Sequence, residues 1–246
     1  NLQASSFMSD TELSIVVLCY RSEEAIIPFA AEVKEVAAQL SDSYEIVLVG
    51  NYIEGSNDRT REIVLDLADR DKKFKAIAKP KQGMMGWDMI EGLKAASGEY
   101  VCVIDGDGQF PVESIKECFY KIRESEYDLV KTYRSERHDG FYRNFISKVY
   151  NFLFSLLFPG LGSKDVNSKP KIIKKTSLER MELSSTDWFI DAEIMLNIRK
   201  LKMKFYEFPV KFLDIEDRAS FVKPSAILEF MRNMFGYWYK ELFGKK

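Results

Sequence analysis

The chain has 246 residues, 46% of them apolar, with 36 Lys+Arg against 38 Asp+Glu and a formal charge of −2. That length suits one large α/β domain with a sizeable core, and the balanced charge argues against a dedicated nucleic-acid binder, which carries a basic excess. A lone histidine, His138, excludes a His-rich metal centre, and no run reaches the ~20 apolar residues of a membrane-spanning helix.

Residues 1–7 precede Met8 and are set aside as added sequence, leaving a single domain expected over 8–246. Leu13–Tyr20 (LSIVVLCY) reads as a buried strand, followed by Ile26, Phe29, Val33, Val36 and Leu40 at helical spacing. Glu45–Val49 predicts a second strand, and Ile63, Val64 and Leu67 predict a second helix. Phe74–Ala78 predicts a weaker third strand, and Gly86–Ala96 a third helix. Tyr100–Ile104 (YVCVI) predicts a fourth strand, with a helix opening near Pro111, a residue suited to a first turn. Asp128–Thr132 reads as a fifth strand. Helices over Asn144–Phe158, near Asp191–Leu201 and from about Pro224, with a strand at Lys204–Pro209, complete the pattern.

Continuous rather than alternating apolar runs mean strands covered on both faces, so the expected class is α/β: a mainly parallel central sheet flanked by helices. Cys19 and Cys102 sit in such runs and are expected as buried thiols. An odd cysteine count without a leader points to a reducing cytosol.

Open α/β sheets bind ligands beyond the carboxyl ends of their strands. The most informative loop there is Asp105-Gly106-Asp107-Gly108-Gln109. Two carboxylates at i and i+2 can converge on one hard cation, Mg²⁺ or Mn²⁺. A polar turn with two solvated aspartates is the plainer alternative.

The ordered motifs make the reading more specific. Tyr20-Arg21-Ser22-Glu23-Glu24 closes the first strand, and Gly50-Asn51 leads through an apparent insertion to Gly55-Ser56-Asn57-Asp58-Arg59-Thr60. Gly92-Leu93-Lys94-Ala95-Ala96-Ser97-Gly98-Glu99-Tyr100 then precedes the acidic turn, and Asp165-Val166-Asn167-Ser168-Lys169-Pro170-Lys171 lies downstream. Over residues 13–223 this series resembles the family 2 glycosyltransferases of GT-A fold, particularly those similar to dolichol-phosphate mannose synthase and bacterial polyprenyl-phosphate sugar transferases.

The resemblance implies inverting, metal-dependent transfer of a sugar from a nucleoside-diphosphate sugar to a polyprenyl phosphate or a glycan hydroxyl. It implies that Tyr20, Glu23 and Asn51 line the nucleotide pocket with Asp58 in support, that Asp105 and Asp107 hold the metal and diphosphate, and that Gln109 faces the donor sugar or acceptor. Ser168 stands where the family often reads Asp-x-x-Ser-Gly-Phe-Arg. Arg218, Ser220 and Lys223 resemble the segment that covers the diphosphate, though without its glycine.

Asp191 would lie on the acceptor side as a general base, or else act as a helix-capping acid. Asn51 replaces the usual aspartate, which leaves the nucleobase open. Arg134 and Arg143 offer guanidinium forks for an acceptor phosphate.

Two amphipathic stretches, Phe145–Leu161 and Ile227–Lys246, carry aromatic and apolar side chains, with Arg232, Lys240, Lys245 and Lys246 among the second. They suit peripheral contact with a membrane, at its cytoplasmic face, or pairing of two copies of the chain. The rival to an enzyme is a degraded transferase fold kept for binding or assembly, suggested by the altered Gly50–Glu54 loop and the Lys169-Pro170 substitution.

Overall fold

Six consecutive buried residues in each of the first two strands leave no face for water, so both must be sandwiched between helices. The computed structural model describes residues 10–136, 141–213 and 224–243, and of these the side chains outside 136, 141–147, 224–228 and 242. The strands are β1 (Leu13–Leu18), β2 (Tyr44–Val49), β3 (Phe74–Ile77), β4 (Tyr100–Asp105), β5 (Leu129–Glu136), β6 (Lys171–Lys174) and β7 (Phe205–Lys211). The helices are α1 (Ile26–Leu40), α2 (Thr60–Arg70), α3 (Met85–Ala95), α4 (Ser114–Arg123), α5 (Phe141–Leu157), α6 (Lys175–Leu178), α7 (Ile190–Lys200) and α8 (Pro224–Phe243).

The strands form one seven-stranded sheet in the order β3-β2-β1-β4-β6-β5-β7. Pairing is parallel except around β6, which runs antiparallel to both β4 and β5. The alternation of side chains along each strand divides the core in two. Ile15, Val17, Ile46, Leu48, Cys102 and Ile104 face one layer with α1 and α4, through Val33, Val36, Phe119 and Ile122. Val16, Val47, Val49, Val101 and Val103 face the other, with Met89 and Leu93 of α3, Phe154 of α5 and Ile194 and Ile198 of α7. Helix α3 lies close on the sheet because Gly92 has no side chain; a Cβ there would stand 2.8 Å from Val49 Cγ2. Cys19, Cys102 and Cys118 are free and buried, and burial raises all three thiol pKa values.

Two features depart from the sequence reading. The helix after the acidic turn opens at Ser114, because the Pro111 carbonyl first accepts the Ser114 N–H at 3.1 Å and its hydroxyl at 2.5 Å, closing a turn. The strand β6 was not anticipated: four residues, lysine at both ends, carry too short an apolar run to register.

Candidate active site

The carboxyl end of β1 and the loop after it are bonded to the acidic turn of β4. The Gly106 N–H donates to the Leu18 carbonyl at 2.9 Å. A Cβ on Gly106 would meet that same oxygen at 2.9 Å, so the close approach requires glycine. Ser22, buried, donates its hydroxyl to the Gly106 carbonyl at 3.3 Å. Asp105 and Asp107 are both partly exposed, and the Asp107 Oδ1 accepts the Gln109 N–H at 3.0 Å, which folds the turn back on itself. The Gln109 carbonyl in turn accepts the Leu213 N–H at 2.8 Å, so the chain leaving β7 passes directly over this turn.

On the nucleotide side expected from sequence, Asp58 fixes the start of α2. Its Oδ1 accepts the Thr60 N–H at 3.0 Å and hydroxyl at 2.6 Å, and the Thr60 Oγ1 accepts the Glu23 N–H at 2.9 Å. The Glu23 side chain is exposed. Asn51 is 1% exposed, with both ends of its amide engaged: Oδ1 accepts the Lys79 N–H at 2.9 Å, and Nδ2 donates to Asp88 Oδ1 at 2.9 Å. The other Asp88 oxygen pairs with Lys81, whose Nζ stands 4.1 Å from the Tyr20 ring centroid, a cation–π contact. Burial raises the Asp88 carboxyl, against the pull of Lys81 and Asn51. It lowers the Lys81 ammonium, against the pull of Asp88. Sequence reasoning missed Asp88 and Lys81, because an acid in a helix's first turn is ordinarily read as a dipole partner.

The side expected from sequence to take the acceptor holds several buried charges. Asp191 is 1% exposed in the first turn of α7 and binds two lysines: Lys169 Nζ at 2.9 Å through Oδ2, and Lys171 Nζ at 2.6 Å through Oδ1. Lys169 also lies 3.3 Å from Asp105 Oδ2. The antiparallel register explains the meeting. Val103 pairs with Lys171, so two more residues along each strand bring Lys169 opposite Asp105.

Burial alone would raise the Asp191 carboxyl, but the two ammonium groups hold it below the usual carboxylate range. Lys169 ends above the ordinary lysine value, because Asp105 and Asp191 together outweigh its burial. Lys171 has only Asp191 against burial and the neighbouring Lys169 and Lys131, and it is pushed down to about 8.

Arg134 does not point a free fork at an acceptor. Its Nε and Nη2 bind Asp165 in bidentate fashion at 2.6 and 2.9 Å. Ser168 is fully buried, with its hydroxyl 2.9 Å from the Thr132 hydroxyl and its carbonyl accepting Lys171 Nζ at 2.6 Å. The Arg143 side chain and the whole of Arg218, Ser220 and Lys223 lie outside the described residues. Among the described residues no three His, Cys, Asp or Glu side chains gather at one point that could hold a metal ion.

A helix-flanked sheet of this order, with its acidic turn beyond β4, defines the class: the GT-A fold of nucleotide-diphospho-sugar transferases. The particular family follows from comparison. Residues 14–181 match the model of Glycosyl transferase family 2, and the chain belongs to that family.

Among curated relatives, the undecaprenyl-phosphate 4-deoxy-4-formamido-L-arabinose transferase of Photorhabdus laumondii is 28% identical over 151 residues, covering 61% of this chain and 45% of its own. The same transferase of Pseudomonas syringae is 28% identical over 170 residues, covering 69% and 49%. The chain thus spans about half the length of these relatives. The solved structure of glucosyl-3-phosphoglycerate synthase from Mycobacterium tuberculosis with UDP superposes with a TM-score of 0.70 at 14% identity, over 93% of this chain and 80% of that one. Its complex with Mn²⁺, UDP and phosphoglyceric acid gives 0.70 at 15% identity, over 96% and 80%. At such identity the likeness speaks for the fold.

Proposed function

We propose that the domain moves a sugar from a nucleoside-diphosphate sugar to a polyprenyl phosphate, with inversion, using Mg²⁺ or Mn²⁺ at Asp105 and Asp107. The observation that carries the reading is the Asp105-Gly106-Asp107 turn, partly exposed at the carboxyl end of β4 and bonded to the loop after β1. Two carboxylates, with the amide oxygen of Gln109 two residues on, make an all-oxygen donor set that fits a hard divalent ion. When bound, such an ion supplies positive charge to the departing diphosphate. The solved relatives that hold Mn²⁺ and UDP support the same donor class.

The chain's own residues favour a phosphate over a hydroxyl as acceptor. A sugar hydroxyl needs a general base, and Asp191 has one oxygen on Lys169 and the other on Lys171. A lipid phosphate is already anionic and needs only positioning. The same engagement of Asp191 argues against a double displacement, which requires a carboxylate able to attack, and so supports a single inverting step. The names of the curated relatives point to the same acceptor class. Tyr20, Glu23 and Asp58 border the nucleotide side, and Asn51 holds that side's loops together from within.

Peripheral membrane contact accords with exposed apolar residues on two helices, Phe152 and Leu156 on α5 and Phe235, Tyr239 and Phe243 on α8. No helix among the described residues is long and apolar enough to cross a membrane.

The test is a melting-temperature panel of UDP, GDP, CDP and TDP, each with and without Mn²⁺. A ligand bound only by the folded chain raises its melting temperature. At least one diphosphate should give a rise that needs Mn²⁺ and disappears in Asp107→Ala. No rise with any of them would remove the donor assignment.

A further inference from the structure

Lys169 is an unusual neighbour for an aspartate that serves a metal. Its ammonium is almost fully buried, in contact with the Met85 sulfur at 3.5 Å, and bridges Asp105 Oδ2 and Asp191 Oδ2 at 3.3 and 2.9 Å. Asp191 in turn divides its charge between Lys169 and Lys171. Four groups therefore form a chain of alternating sign, Asp105–Lys169–Asp191–Lys171, with only the Asp105 end reaching the surface of the site. The side chain of Asp105 is 25% exposed and those of the other three 1–2%. Being dry, the inner three groups are screened less by salt and water than surface charges are, so Lys169 acts on Asp105 more strongly than an exposed lysine would.

We propose that Lys169 is a positioning residue that tethers one oxygen of Asp105 and weakens the site's grip on a divalent ion, so that the ion is held firmly only when a diphosphate contributes its own oxygens. This rests on the metal reading above. The physical reason is that a cation arriving at Asp105 meets a fixed positive charge directly behind that carboxylate. Asp191 limits the effect by sharing Lys169. A site so arranged takes up its ion together with the donor and gives it up as the nucleoside diphosphate leaves.

The test measures Mn²⁺ affinity directly on the unreacted protein, from the spin-resonance signal of free Mn²⁺, with and without UDP. Two variants carry opposite signs. Lys169→Met removes the standing charge and should tighten Mn²⁺ binding without UDP on the order of ten-fold, the size expected for one unit charge a few ångströms from a divalent ion even under strong screening. Asp191→Asn leaves Lys169 with Asp105 as its sole carboxylate partner and should weaken Mn²⁺ binding. It nearly preserves side-chain shape, and it decides the question alone if Lys169→Met does not fold. Circular dichroism reports folding for both.

Unchanged affinity in the folded variants, or a shift against these signs, would overturn the proposal. Absence of Mn²⁺ binding by the unaltered protein, with or without each nucleoside diphosphate, would instead overturn the metal reading and leave the Lys169–Asp105 pair a purely structural contact.

Discussion

Asn51 stands where the family pattern has an aspartate, and restoring that aspartate is a demanding test of the site's electrostatics. Asn51→Asp keeps the shape and keeps an oxygen for the Lys79 N–H. It replaces the amide that donates to Asp88 Oδ1 at 2.9 Å with a second carboxylate. Both positions are nearly solvent-free, at 1% and 2% exposure, and a single ammonium, Lys81, would then serve two anions.

Leaving a buried charge without its partner costs about 3–5 kcal/mol, and Lys81 should keep the loss near the lower figure, about 3 kcal/mol. For a chain of this length that corresponds to roughly 6–12 °C of melting temperature. The loss should also depend on pH. Crowding raises the folded pKa of the pair above its unfolded value, so the folded variant holds an extra proton in that interval and its stability falls as pH rises. Urea midpoints of both proteins between pH 4.5 and 8.5 should converge at the acid end and separate at the alkaline end. Equal midpoints at pH 8, or a gap that ignores pH, would refute the claim that Asp88 has claimed Asn51.

Other outcomes follow from the packing and the charges. Gly86→Ala should cost about 1–3 kcal/mol in urea melts, because its Cβ would be driven into the backbone oxygens of Ser185 and Asp187, which cannot swing aside. Lys171 should titrate near 8 in a ¹³Cε NMR series, well below the ~10.4 of a free lysine. Between those values the unfolded chain keeps a proton that the fold has released, so on this account stability rises with pH; a midpoint at the free-lysine value would refute it. Phe152→Ser with Leu156→Ser should leave the melting temperature nearly unchanged, since both side chains are more than 60% exposed. The pair should also reduce flotation with anionic vesicles, and equal flotation would remove α5 from any membrane-facing surface.

The sequence was most legible where physics is local. The runs at β1, β2 and β4 are apolar throughout, and a strand covered on both faces has no other pattern. The acidic turn was legible for the same reason, because its two aspartates sit at the end of such a run. Legibility failed where a partner is remote. A forked guanidinium reads alike for a phosphate and for Asp165, and that carboxylate lies 31 residues from Arg134. Asp88 looked like ordinary helix chemistry until Asn51, 37 residues earlier, came beside it. Lys169 stood out, with Pro170, as a departure from the family pattern, and Lys171 did not stand out at all. The meaning of the two lysines required an antiparallel strand too short to see, which carries one of them to an aspartate 64 residues away.

That reversed strand has a consequence for how such a domain can diversify. In an open sheet, ligand-contacting segments usually hang off the ends of strands and can be exchanged while the floor beneath stays intact. Here the cations behind the acidic turn ride on the floor itself, at the mouth of β6, where the sheet passes from one half to the other. A one-residue slip in the pairing of β6 would exchange the two faces of that strand, carrying Lys171 into the layer of Ile172 and Ile172 into the layer that α7 and Asp191 cover. Chemistry and architecture are therefore tied together at this seam.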